Sequence, residues 1–232
     1  MQRIGVVGAR GYVGSAVVQA LQARPDAEVI SITRENYAEY TSQFFDILIN
    51  CAMPGARFWA KQNPDKDFIE TVEKTANLVY GWQYQQFIQI SSVSARCQLD
   101  TVYGRHKAAA ELLCDPSKSL IIRLGSMFDR SLKKGVLIDM LQGKKVFVDG
   151  DSRYCFASLD FCAQWIASHL DRKGLVELGA RDALSLKQIA QHLQRESEFE
   201  GNLDHQEIQH PEPDFPAAAE VFDFLDKWGT KT

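Results

Sequence analysis

The sequence predicts an α/β fold built on a doubly wound parallel sheet, and three observations carry that expectation. The chain opens on a β-branched run, RIGVVG (3–8), the composition of a strand buried on both faces. Three glycines at a spacing of three, Gly8, Gly11 and Gly14, follow where this strand gives way to a helical pattern. Strand-like runs then alternate with helical stretches as far as residue 125, the order of a chain of βαβ units.

The elements follow in turn. AVVQALQARP (16–25) repeats its apolar residues at helical spacing until Pro25 stops it, and AEVISITR (27–34) is the next strand. Together with the first strand they form a βαβ unit of the length of a dinucleotide-binding fingerprint, which points to a Rossmann fold. The spacing is GxxGxxG rather than GxGxxG, but the physics is shared. Gly8 permits a tight turn, Gly11 lets backbone amides approach a pyrophosphate, and Gly14 lets the helix pack closely on the strand. Arg10, Tyr12 and Val13 complete this cofactor-binding loop.

An NAD-preferring site places a carboxylate at the end of the second strand, to hold the ribose 2′-hydroxyl. Here that strand ends Ile32-Thr33-Arg34, and Arg10 projects from the glycine loop toward the same region. Two guanidiniums converging on one phosphate make a charge-assisted clamp, so Arg10, Thr33 and Arg34 predict NADP(H) as the cofactor.

FFDILINCA (44–52) is a further buried strand. The small residues at its end, Cys51 and Ala52, followed by Met53, suit a backbone that runs beside the cofactor. FIETVEKTANLVY (68–80) has helical periodicity, and QQFIQISS (85–92) is a strand that delivers Ser91 and Ser92 at its carboxyl end. Open α/β sheets bind ligands at those ends. Tyr103 and Lys107 come next, one helical turn apart on one face. Alone, that spacing also describes an ordinary surface pair. His106, between them, points off that face and reads as a solvated or helix-packing residue.

Composition narrows the function classes. With 232 residues, 45% hydrophobic and 24% charged, the chain has an ordinary globular make-up. A net charge of −4 argues against a nucleic-acid surface and gives no sign of an anionic-membrane partner. The five cysteines are scattered, with neither a CxxC pair nor zinc-ligand spacing, so no metal is expected and the thiols read as reduced, in a cytoplasmic protein. Met1 runs straight into a core strand, leaving no room for a signal peptide, and the apolar runs are too short for a bilayer.

GARGYVG (8–14), DILINCA (46–52), TVEKTANL (71–78), ISS (90–92), YGRHK (103–107) with its following AAAELL, and IIRLGSMF (121–128) together give the chain a resemblance. It is similar to the extended short-chain dehydrogenases/reductases, the NAD(P)-dependent epimerase/dehydratase or nucleotide-sugar-modifying branch. The resemblance implies a Ser-Tyr-Lys triad. Ser92 would hold the substrate oxygen, with Ser91 as the alternative, and Tyr103 would be the acid/base. Lys107 would draw the phenol down from its ordinary pKa of about 10 and bind the nicotinamide ribose. Ser94, Arg123 at the end of SLIIR, and Arg153 in DSRYCF are the further substrate-binding expectations.

The chain also departs from that family. Thr71 stands where an asparagine is usual, and Val93-Ser94 stand where dehydratases carry an acidic pair, which disfavours dehydration. The chain is short, with a Rossmann core over 1–125 and a small substrate-capping region over 126–232, interleaved with the last core strands and helix. The functions left open are reduction of the keto group of a nucleotide-activated sugar or similar keto substrate, 4-epimerisation with a retained cofactor, and non-catalytic NADP(H) binding. The resemblance also implies a homodimer through the helices that follow Phe68 and Tyr103.

Overall fold

The computed structural model describes residues 1–229 as two compact units. The larger unit comprises Met1–Leu124 and Ala163–Val176. Its elements are β1 (Gln2–Val7), α1 (Tyr12–Gln22), β2 (Ala27–Ile32), α2 (Tyr37–Tyr40), β3 (Phe44–Asn50), α3 (Arg57–Gln62) and α4 (Pro64–Phe68). A π turn (Ile69–Glu73), α5 (Lys74–Gly81), β4 (Gln83–Ser92), α6 (Ser94–Cys97), α7 (Val102–Leu112) and β5 (Ser119–Leu124) complete it. The smaller unit runs over Gly125–Cys162 and from Glu177 onward. It holds β6 (Met127–Phe128), α8 (Val136–Leu141), β7 (Arg153–Tyr154) and β8 (Ala157–Ser158), and later β10 (Leu184–Ser185), α10 (Leu186–His192) and α11 (Glu220–Gly229). The chain passes between the units in α9 (Leu159–Ser168) and β9 (Gly174–Leu178).

The sheet is six-stranded in the order β2-β1-β3-β4-β5-β9, with the pairings from β2 through β5 parallel. This is the doubly wound, Rossmann-like fold that the strand pattern predicts. The chain reverses direction across the sheet between β1 and β3, the crevice where such sheets take their ligands. Ile47–Asn50 of β3 and Phe87–Ser91 of β4 are buried throughout, which explains their near-continuous apolar character. Val7, Phe45, Leu48, Leu78, Trp82 and Phe87 close the core on one side.

Two boundaries differ from the sequence reading. The first helix begins at Tyr12, inside the glycine loop, and ends at Gln22, short of Pro25. The helix expected over 68–80 begins earlier, at Pro64, which suits the first helical position because it has no N–H to leave unsatisfied. It also carries a π turn that periodicity does not reveal. Asp67, Thr71 and Thr75, spaced by four and so on one helical face, are all fully buried.

In the smaller unit β6 pairs with β8 in parallel and β7 with β10 antiparallel. Its own core gathers Phe128, Met140, Tyr154, Phe156, Ile189 and Leu225. Ser185 and Gln188 cap α10 reciprocally, as a capping box.

Candidate active site

The glycine loop is shaped by what a side chain would strike. Gly8 has φ +80°, and a Cβ there would lie 2.7 Å from the Cα of Ala52, so the end of β3 crosses directly against the loop. A Cβ on Gly14 would lie 2.2 Å from the carbonyl oxygen of Gly8. The helix therefore starts hard against the turn, with Gly11 as its N-cap and no side chain capping it. The backbone N–H groups at Tyr12, Val13 and Gly14 open α1, and the first turn of a helix offers such donors, with a favourable dipole, to an anion. Cys51, Ala52 and Met53 line the neighbouring edge. Burial pushes the Cys51 thiol up to about 12, so it stays neutral. These features fit the pyrophosphate of a nicotinamide dinucleotide.

At the end of β2 the arrangement is more contested than the sequence suggests. Arg10 does not stand alone beside Arg34: its guanidinium lies 3.0 Å from the carboxylate of Glu35. Thr33 donates its hydroxyl to the same carboxylate, and these hydrogen bonds, Thr33 first, hold it below its usual range. Arg34 reaches toward Glu70 at 3.9 Å. The two guanidiniums thus each face a carboxylate. Glu35, one residue past the predicted clamp, is the carboxylate that meets Arg10. Both arginines are largely exposed, at 74% and 89%, and exposed ion pairs of this kind are weak enough to exchange partners.

Ser92, Tyr103 and Lys107 do come together. β4 ends at Ser92, which accepts a hydrogen bond from the Ser94 backbone N–H at 3.2 Å. The short α6 turns the chain back, and Thr101 caps α7 by accepting from the Gly104 N–H at 3.0 Å. A Cβ on Gly104 would fall 2.0 Å from the Gln98 carbonyl, so the glycine inside YGRHK lets α7 lie close against the α6 turn that follows Ser92. Tyr103 is hydrogen-bonded to Ser92, and the Lys107 ammonium lies 5.2 Å from the centre of the Tyr103 ring.

The electrostatics of this group run against one expectation. Tyr103 is raised above its ordinary pKa, because burial outweighs the lowering from the Ser92 hydrogen bond and from Arg57. Lys107 is itself drawn down to about 7 by burial, against the opposing pull of Asp67 and Glu111. Within the protein alone, then, the phenol is held protonated and the lysine is poised near neutrality.

The substrate-side expectations fare unevenly. Ser94 is buried, at 2% exposure. Arg123, expected beside the substrate, has turned inward: its Nε donates to both oxygens of Glu111 at 3.0 and 3.1 Å, and a terminal nitrogen donates at 2.7 Å. Ser91 donates to the same carboxylate at 2.6 Å, so the alternative serine belongs to a buried structural network while Ser92 faces Tyr103. Arg153, in the smaller unit, pairs with Glu207. The open cleft of that unit, about 540 Å³, is lined instead by Arg130, Lys227, Glu220 and Asp223 with two phenylalanines and Ser158. His106 is a helix-packing residue rather than a solvated one, with Nδ1 2.7 Å from Asp67 and its ring edge-on to Phe68. Asp67 and Arg57 are the neighbours of Tyr103 that sequence reasoning missed. Both lie in short helices, Arg57 in α3 and Asp67 in α4.

Fold and loop define a dinucleotide-binding protein of the doubly wound class. The profile of the NAD dependent epimerase/dehydratase family matches residues 4–119, half of the chain, and the chain belongs to that family. Among curated proteins no sequence matches it. Solved structures that are similar across nearly their whole length include the following three. A novel NAD-dependent NDP-hexosamine 5,6-dehydratase involved in tunicamycin biosynthesis is 13% identical with a TM-score of 0.79, covering 100% of this chain and 99% of that one. The dTDP-4-dehydrorhamnose reductase of Bacillus anthracis, in complex with NADP, is 14% identical with a TM-score of 0.74, covering 98% of each chain. The UDP-glucuronic acid 4-epimerase of Bacillus cereus, a tyrosine-to-phenylalanine mutant in complex with a fluorinated UDP-sugar and NAD, is 16% identical with a TM-score of 0.73, covering 97% and 99%. At such identities the likeness is one of fold. Among the described residues no helix is long and apolar enough to cross a membrane.

Proposed function

We propose that the protein is an NADP(H)-dependent reductase acting on the keto group of a nucleotide-activated sugar or a similar keto substrate. The observation that carries this reading is the meeting of Tyr103 with Ser92 at the end of β4, with Lys107 against the tyrosine ring. The loop from Gly8 to Gly14 would hold the pyrophosphate, Cys51 to Met53 would flank it, and Arg10 and Arg34 would take the 2′-phosphate once Glu35 releases Arg10. The cofactor, when bound, supplies the hydride. Ser92 orients the carbonyl oxygen, Tyr103 delivers the proton to it, and a protonated Lys107 stabilises the phenolate left behind.

The raised Tyr103 pKa suits the reductive direction, because the group that must donate a proton already holds one. Val93 and Ser94 provide no carboxyl group after Ser92 for the second proton transfer of a dehydration. The nucleotide-sugar class draws support from the similar structures, whose own substrates are nucleotide-linked sugars.

The test is oxidation of NADPH with a panel of nucleotide-linked 4-keto-sugars and simple ketones, for the native chain and for Tyr103→Phe. Turnover with one class, reduced about a hundredfold or more by the substitution while NADPH affinity persists, is the expected result. Undiminished turnover in Tyr103→Phe would remove the tyrosine from the chemistry. NADPH binding with no oxidation of any substrate would sink the reductase reading.

A further inference from the structure

Two carboxamides stand opposite each other in the middle of the sheet, Asn50 on β3 and Gln89 on β4. Both are fully buried, as is Thr75 of α5, in strands otherwise filled by Ile47, Leu48 and Ile49 or by Phe87, Ile88 and Ile90. An apolar pair would hold such strands together as well, and burying two carboxamides costs desolvation that only complete hydrogen bonding offsets. The bonds here form one directed chain. The Ala52 N–H can only donate, so the atom that faces it at 3.1 Å is Asn50 Oδ1. Asn50 Nδ2 then donates to Gln89 Oε1 at 3.0 Å and to Thr75 Oγ1 at 3.3 Å. With its oxygen taken, Gln89 turns its own Nε2 on the Met53 sulfur at 3.1 Å. Thr75 gives its proton to the Thr71 carbonyl at 2.7 Å, which leaves its oxygen free to accept from Asn50.

Both ends of this chain fall on the backbone that flanks the glycine loop. The ladder from β3 to β1 runs out at Cys51, whose N–H reaches the Val7 carbonyl at 2.9 Å. Ala52 comes next, and a Cβ on Gly8 would lie 2.8 Å from its nitrogen. We propose that Asn50 and Gln89 are positioning residues for the dinucleotide: by holding the Ala52 N–H and the Met53 sulfur, they set the course of the backbone beside the loop from Gly8 to Gly14. Gln89 acts through Asn50, because its oxygen fixes which way the Asn50 amide faces. This strip flanks the part that NADP(H) and NAD(H) have in common, so the pair governs affinity for both alike, unlike Arg10 and Arg34. The effect on affinity rests on the reading of the loop as the cofactor site, but the anchoring of Ala52 does not.

The two are separable by experiment. Asn50→Leu alone strands the Gln89 oxygen and is expected to be destabilised. Asn50→Leu with Gln89→Met replaces both carboxamides by apolar side chains of similar shape, and thermal unfolding should return toward the native value. The readouts are amide hydrogen exchange on the full chain and titrations with NADPH and with NADH. In the double variant the Ala52 amide is expected to exchange about tenfold faster or more while the Cys51 amide keeps its protection, and both affinities to fall about tenfold. Affinities that recover together with stability would mean that the pair serves the sheet alone, and would overturn the proposal. An Ala52 amide that stays protected, or exchange that rises equally at Cys51 and Ala52, overturns it as well. So does a loss confined to one of the two cofactors. A double variant that does not fold counts against it, since the carboxamides would then be a requirement of the strands. Lost protection at Ala52 in a protein whose native form binds neither cofactor supports the anchoring and instead sinks the cofactor reading.

Discussion

Arg123 is the residue on which sequence and structure differ most in meaning, and it can be tested directly. As a substrate ligand, its removal would raise KM and leave the fold alone. As the partner of Glu111, its removal strands a carboxylate that is 6% exposed, with Ser91 as a remaining donor. The guanidinium makes three donations to that carboxylate and is itself only 16% exposed, so the pair is well shielded from water. Breaking a buried pair of this kind from one side costs about 3–5 kcal/mol. In a chain of this length that corresponds to a fall in Tm of about 10 °C. Arg123→Met is therefore expected to be strongly destabilised, and Glu111→Leu likewise. The double variant, which replaces the pair with apolar side chains of similar size, should recover much of the loss, since neither charge is left alone. The assay is thermal and urea unfolding of all four proteins. Costs below about 1 kcal/mol for Arg123→Met, or strict additivity in the double variant, would refute the structural assignment. A large rise in KM on top of an intact fold would return Arg123 to the substrate.

Two further predictions concern the ends of the site. Arg10→Ala with Arg34→Ala should weaken NADP(H) far more than NAD(H), and Glu35→Gln should tighten NADP(H) by removing the group that competes for Arg10; equal effects on both cofactors in a titration calorimeter would defeat the 2′-phosphate assignment. Lys107, drawn down to about 7 from its ordinary 10.5, binds fewer protons in the folded protein than in the unfolded chain between those values, so folded stability should rise with pH across about 7 to 10 relative to Lys107→Met. Parallel stability curves for the two proteins through that window would contradict the burial of the ammonium.

The parts of the structure that were legible in the sequence are those set by short-range physics. β1, the glycine loop and β2 follow from β-branched composition and from glycines that a turn and a helix start require. Tyr103 and Lys107 share a face because helical spacing puts them there. What was not legible depends on distant residues. Arg123 looks free at a strand end, and only the fold brings Glu111, 12 residues back, under its guanidinium. Asp67 reads as a first-turn acidic residue of the ordinary dipole-compensating kind. Its burial depends on the packing of α4 against α3 and α7, which has no local signature. The lowering of the tyrosine expected from a nearby lysine was a pairwise argument. It omitted burial, which acts on both groups at once and raises the one while lowering the other.

The two ends of the site are thus built on opposite principles. At the end of β2, the edge strand of the sheet, the charged side chains are exposed and their partners are exchangeable. Arg10 bound to Glu35 can become Arg10 bound to a phosphate at little cost, because water compensates whichever group is released. Around Lys107 nothing is exchangeable: Glu111 is fixed by Arg123 and Ser91, Asp67 by His106, and Tyr103 by Ser92. A shift of charge there is poorly screened by solvent, which favours a change of protonation. On the function proposed above, selectivity for the cofactor and transfer of the proton should therefore respond to different substitutions.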